Sequence, residues 1–267
     1  MAWGGWVLTT AVRVTVPGAR PAASQARTIA ARAAARRSAT DAEVDGTGAA
    51  GDETVMTADD LGENARRLWR QAQALNRAAA AVSPTAGQLP PLLFFTDPER
   101  TPRPWETAAR LPAGAAVVFR GFGAPDAAET AQRLRAVTRE GGVRLLIGAD
   151  ADLALAIGAD GVHLPERMAG EATRSRAARP DWLITAAIHG ATAGFPVEGL
   201  DALIASPVFP TLSASARPVL GLEGLARATA LGLPTYALGG IDAETADRLA
   251  HSGVCGIAAV GAVRDVF

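Results

Sequence analysis

An α/β architecture, and within it a compact (β/α)8 or TIM barrel, is what the 267-residue chain predicts, and three features predict it. From Pro91 onward, eight short apolar runs alternate with helical patterns. The runs are hydrophobic throughout rather than at every second residue, as in strands of a parallel sheet covered by helices on both faces. Each run ends in a polar or glycine-containing turn, and eight strand and helix repeats fit a barrel whose usual length is about 250 residues.

Residues 1–55 lie outside that pattern. Residues 1–40 carry six Arg and no Asp or Glu, and residues 41–53 are acidic and rich in small side chains, so a disordered low-complexity extension is expected there. Residues 56–90 read as an N-terminal helix and linker. "TADDLGENARRLWRQAQALNRAAAAV" opens with a capping residue and early acids, sets Leu61, Ala65, Leu68, Ala72 and Leu75 on one stripe, and stops at Ser83-Pro84. Residues 91–267 form the barrel. Its strands are expected at 92–96, 115–120, 144–148, 161–165, 183–188, 202–208, 234–238 and 256–260, with helices among them at 126–140, 169–179, 222–231 and 243–252. Little chain follows the eighth strand, so the helix at 58–82 is expected to cover part of the gap between the last and first strands.

Composition removes several functions. A net charge of -1 offers no field for nucleic acid or an anionic membrane, and no uncharged apolar run of 18 residues exists to span a bilayer. Cys255 is the single cysteine, which rules out an internal disulfide framework and a multi-cysteine zinc site, and suits a reducing, cytoplasmic setting. All 26 basic residues are Arg. Schiff-base chemistry, which needs a lysine amine, is therefore excluded.

The chemistry of such a barrel sits in the loops after the strands, with phosphate commonly bound beyond strands seven and eight. After strand seven comes "LGGID", where Gly239 and Gly240 let the backbone approach a ligand and Ile241-Asp242 are expected to open a helix with outward N-H groups. Gly261 leaves the backbone bare after strand eight. After strand six, "SPVFPTLSAS" offers Thr211 and Ser213 as uncharged donors in a loop longer than an ordinary strand-to-helix link. The competing account makes the glycines simple turns and the hydroxyls helix caps.

Four stretches together, "FFTDPERTP" (94–102), "LALAIGADGVHLPE" (153–166), "SPVFPTLSAS" with "LGLEGL", and "ALGGIDAETADRLAHSGVCGIAAV" (237–260), resemble the thiamine phosphate synthase and thiazole tautomerase superfamily. The resemblance spans about residues 92–263. It implies a barrel that binds a thiazole phosphate, which in synthases is joined to a pyrimidine pyrophosphate with Mg2+. Thr211 and Ser213 match the family's hydroxyl pair and Gly239 and Gly240 its phosphate glycines, while Gly261 replaces a serine. Arg120 is kept from the family's Gln-x-Arg-x-Lys run, with Val118 and Phe122 at the flanking places. Gly148 and Ala149 stand for the Asn-Asp metal pair, Met168 for the second metal aspartate, and Ala214 for a lysine. Mg2+ requires hard oxygen ligands and a departing diphosphate requires several cations, so the substitutions strip that half of the site. Phe122 and Met168 suggest a narrower, drier pocket, while Asp150, Asp152 and Glu166 are the carboxylates near enough to rebuild a metal site.

His189, ending strand five, matches the histidine that moves a proton in the tautomerase branch, a task that suits imidazole near neutral pH. Synthases carry a histidine there too. His163 reads as a structural feature of the family. The leading expectation is an enzyme without a cofactor that binds a thiazole phosphate and transfers a proton through His189. Alternatives are a synthase with relocated Mg2+ ligands and a binding or sensor protein without turnover. The partner in each is a small-molecule phosphate, with homo-oligomerisation left open.

Overall fold

A computed structural model describes residues 61–211 and 217–267. The extension expected over residues 1–55 and the capping residue Thr57 fall outside these. The order is α1 (Glu63–Val82), β1 (Leu92–Phe95), α2 (Pro104–Ala108), β2 (Ala116–Phe119), α3 (Ala127–Glu140), β3 (Arg144–Gly148), α4 (Ala151–Ala156), β4 (Gly161–Leu164), α5 (Ala172–Ala178), β5 (Leu183–Ile188), β6 (Ala202–Ala205), α6 (Gly221–Thr229), β7 (Thr235–Leu238), β8 (Gly256–Ala259) and α7 (Gly261–Val266). The eight strands pair in parallel and in sequence order, and β8 closes on β1 through Leu93 opposite Ala258. None of the described helices is long and apolar enough to cross a membrane.

Side chains alternate between two apolar clusters as the strand period of two requires. Leu93, Phe95, Val118, Leu146, Ile204 and Tyr236 fill the barrel interior, and Leu92, Phe94, Val117, Leu145, Ile184 and Leu203 face the helices. Both faces are buried, which explains why the strands read as unbroken apolar runs.

Three expected helices change. The first begins at Glu63, with Gly62 ahead of it and no side-chain cap. Its Ala65, Leu68, Trp69 and Ala72 are buried where β8 returns to β1, so it covers the seam as expected. Asn76 Nδ2 donates to the Ala86 carbonyl at 2.9 Å and the Cys255 carbonyl at 3.0 Å, tying the helix to the lead-in of β8. The helix expected over 243–252 is only a short 3-10 turn, Ala246–Leu249. Residues 169–179 divide into a 3-10 turn, Glu166–Glu171, and α5.

Candidate functional site

A cavity of about 1320 Å3 opens at the C-terminal ends of the strands. His189, Arg120, Thr211, Gly239, Gly240 and Gly261 all line it, brought together from five different strand ends. Ser213 lies outside the described residues.

One wall is backbone. Gly239 and Gly240 have φ of 101° and 66°, and a Cβ on either would fall 2.9 Å from Pro207 or 2.4 Å from the Pro210 carbonyl oxygen. Only glycine meets both conditions. Phe209 N-H donates to the Gly239 carbonyl at 3.0 Å, holding the loop after β6 against the one after β7. The N-H groups of Gly239, Gly240 and Ile241 have no protein acceptor among the described residues. The expected helix start at Ile241-Asp242 is absent. Instead Asp242 Oδ1 accepts from Glu244 N-H at 2.9 Å and Thr245 N-H at 2.8 Å in a side-chain-closed turn. Burial works to raise the Asp242 carboxyl, and these hydrogen bonds outweigh it and hold the group below its ordinary value. Any anion here is therefore met by turn amides, not by a helix dipole.

Across the cavity, His189 Nδ1 lies 2.7 Å from the Ser206 carbonyl oxygen and 3.2 Å from Ser206 Oγ. A carbonyl only accepts, so in the neutral ring Nδ1 carries the proton and Nε2 keeps its lone pair. Nε2 has no protein partner among the described residues. The His189 N-H donates to Glu166 Oε1 at 3.3 Å. His163 is a different kind of group. It is buried with Nδ1 3.0 Å from Thr185 Oγ1, and burial, followed by the charges of Arg120 and His189, pushes its pKa down to about 3. It is a neutral floor to the cavity, as the structural reading of this histidine expects.

Arg120 lies at the end of β2. Its Nε donates to the Thr96 carbonyl at 2.7 Å, its N-H to Thr96 Oγ1 at 2.9 Å, and its Nη2 stands 3.6 Å from Asp97 Oδ2. Burial lowers its pKa, partly countered by Asp97. Arg100 binds Asp97 at 3.1 Å, and Arg264 Nη1 donates to the Arg100 carbonyl at 2.8 Å. Both line the cavity, and so does Arg217. Sequence reading missed all three. Arg100 stands inside the "DPER" stretch after β1, but only closure of β8 on β1 shows that Arg264 joins it.

The thiamine monophosphate synthase family model matches residues 94–263. The chain belongs to the thiamine monophosphate synthase family. A thiamine-phosphate synthase of Pyrococcus furiosus is 37% identical over 139 residues, 51% of this chain and 66% of that protein. One of Laribacter hongkongensis is 37% identical over 139 residues, covering 51% and 65%. The matches thus span a little under two thirds of the length of these relatives. The solved thiamine phosphate pyrophosphorylase of Pyrococcus furiosus superposes with a TM-score of 0.56 and 30% identity, over 66% of this chain and 90% of that one.

The magnesium that the family implies is a poor fit to the residues present. Among the described residues no three His, Cys, Asp or Glu side chains gather to hold a metal ion. Gly148 and Ala149 end β3 without oxygen donors in their side chains. Of the carboxylates near enough to replace them, Asp150 Oδ1 accepts from Leu153 N-H at 2.8 Å to cap α4, and Glu166 accepts from His189. A narrower pocket is also not what these substitutions make. Met168 packs into the outer core and does not line the cavity, and Phe122 stands at the rim, 73% exposed.

Proposed function

We propose that this family member binds a thiazole phosphate and moves a proton on its ring through His189, without a metal ion. The observation that carries the reading is the hydrogen bond from His189 Nδ1 to the Ser206 carbonyl, because it commits Nε2 to the role of base inside the cavity. The amides of Gly239, Gly240 and Ile241, which have no protein acceptor among the described residues, hold the phosphate monoester by hydrogen bonds together with Gly261 and the Thr211 hydroxyl. Ser213 joins this set by its match to the family motif. Nε2 takes a proton from one ring position of a thiazole carboxylate phosphate, becomes imidazolium, and returns the proton at another position. The ring leaves as its aromatic tautomer, with no net oxidation and no leaving group.

Proton NMR of that substrate in D2O tests the reading. Wild type is expected to convert the tautomer with deuterium incorporation, with EDTA making no difference. His189→Ala is expected to lower kcat by about 10²- to 10⁴-fold with little change in KM. Unchanged turnover in His189→Ala overturns it.

The synthases among the relatives favour a second reading, in which the chain joins aminopyrimidine pyrophosphate to thiazole phosphate. Mg2+-dependent pyrophosphate release from those two substrates supports that reading, and its absence removes it.

A further inference from the structure

We propose that Arg120 is the receptor for a ring carboxylate and so sets which thiazole phosphate the cavity takes. The proposal deepens the proton-transfer reading and rests on it. The guanidinium is locked in place. Thr96 holds its Nε and its backbone N-H, and its carbon stands 5.5 Å from the Phe95 ring centroid and 5.4 Å from that of Phe122. Nη2 is buried without a hydrogen bond, beside Asp97. Nη1 is then the terminal nitrogen with neither a protein acceptor among the described residues nor complete burial.

This posture depends on a residue that lacks a side chain. A Cβ on Gly148 would sit 3.1 Å from the Phe119 carbonyl oxygen and 3.3 Å from Arg120 Cγ, so a larger residue there would press on the Arg120 side chain by a few tenths of an ångström. Gly148 is one of the two places where the family's metal pair is missing.

The chemistry that remains suits a monoanion. The Arg120 guanidinium, partly neutralised by Asp97 and flanked by aromatic faces, offers the N-H groups of Nη1 alone, enough for one charge-assisted hydrogen bond to a carboxylate oxygen. A diphosphate would draw on further cations or a metal, and of the other arginines lining the cavity Arg100 already pairs with Asp97 and Arg264 with Asp265. Topology places the guanidinium usefully. Around the closed ring of strands, Arg120 enters from β2, His189 from β5 and the phosphate loops from β7 and β8. A ligand held by its phosphate therefore has its ring between the arginine and the base.

Calorimetry with thiazole phosphate and with the same compound bearing a ring carboxylate tests this. Wild type is expected to bind the carboxylated compound at least about tenfold more tightly, as a charge-assisted hydrogen bond allows. Arg120→Gln is expected to abolish that preference and leave the Kd for the uncarboxylated compound within about twofold. Gly148→Asn, which leaves the arginine in the chain but crowds it, is expected to do the same, and carries the test should Arg120→Gln fail to fold. Equal binding of the two compounds by wild type overturns the proposal, as does a parallel loss for both in the variants. These outcomes are separate from failure of the proton-transfer reading, which would leave the carboxylate preference intact in wild type while no deuterium entered the ring.

Discussion

His163 and His189 lie in one cavity and show how position assigns chemistry to identical side chains. His163 points into the barrel, with its ring 5.0 Å from Phe95 at an edge-on angle of 85°, and only 7% of the residue is exposed. Its pKa falls from 6.5 to about 3, so the unfolded chain binds a proton that the folded chain refuses. The stability is fully present above the unfolded value and is lost as pH falls below 6.5, at up to about 1.4 kcal/mol per unit until the folded value is reached. Urea unfolding between pH 7 and pH 4.5 should show this slope in wild type, and His163→Gln should flatten it. A like slope in the variant would place the titration elsewhere. Two other residues hold backbone angles uncommon for their type. Ala149 has φ of 60° and Phe122 of 47°, and both stand at places where the family carries a metal ligand or a lysine. The left-handed turn at Ala149 is one that asparagine and aspartate adopt more readily than alanine.

At the opposite end of the barrel from the cavity, two strand entries repeat one device. Asp160, before β4, accepts from Leu145 N-H at 2.8 Å and from Arg135 at 2.9 Å. Asp201, before β6, accepts from Ile184 N-H at 2.8 Å and pairs with Arg176. In each case an arginine from the helix that leads into the preceding strand and a backbone N-H of that strand share one carboxylate oxygen, which pins a strand pair at its base. The second instance has more to hold, because the connection from β5 to β6 contains no helix. Arg176 answers this by also donating to the carbonyls of Trp182 and Gly199. Asp201 is 5% exposed, and its loss would leave the partly buried Arg176 without its counter-charge. Asp201→Ala should therefore destabilise the fold by about 3 kcal/mol, measured by denaturant unfolding, while ligand affinity per folded molecule stays unchanged. A loss under about 1 kcal/mol would show that the carbonyls alone suffice.

The barrel as a whole is completed by a segment that precedes it. α1 packs over the β8 to β1 seam with Leu68 and Trp69 buried. A variant chain starting at Pro90 should melt about 10 °C below one starting at Met56, since it exposes the β8 and β1 surface that those two side chains cover. Equal melting temperatures would make α1 an ornament. The strands were legible to within a residue or two at most ends, because burial on both faces leaves an unbroken apolar run that no other part of the chain imitates. The run 202–208 was read too long, since Pro207 and Val208 are buried as strand residues are but lie in the loop after β6. The helix after β7 was misread because Asp242 and Thr245 look like a helix start and instead close a turn on themselves. The places of Thr211, Gly239, Gly240 and Gly261 around one mouth followed from strand counting. Local pattern, then, established the barrel, its family motifs and the absence of lysine. It left open which nitrogen of His189 is the base, where the Arg120 guanidinium points, and which carboxylates are already spent. Those depend on contacts such as His189 with Ser206 and Arg120 with Thr96, between residues that meet only when neighbouring strands align, and no local pattern encodes the direction of a hydrogen bond.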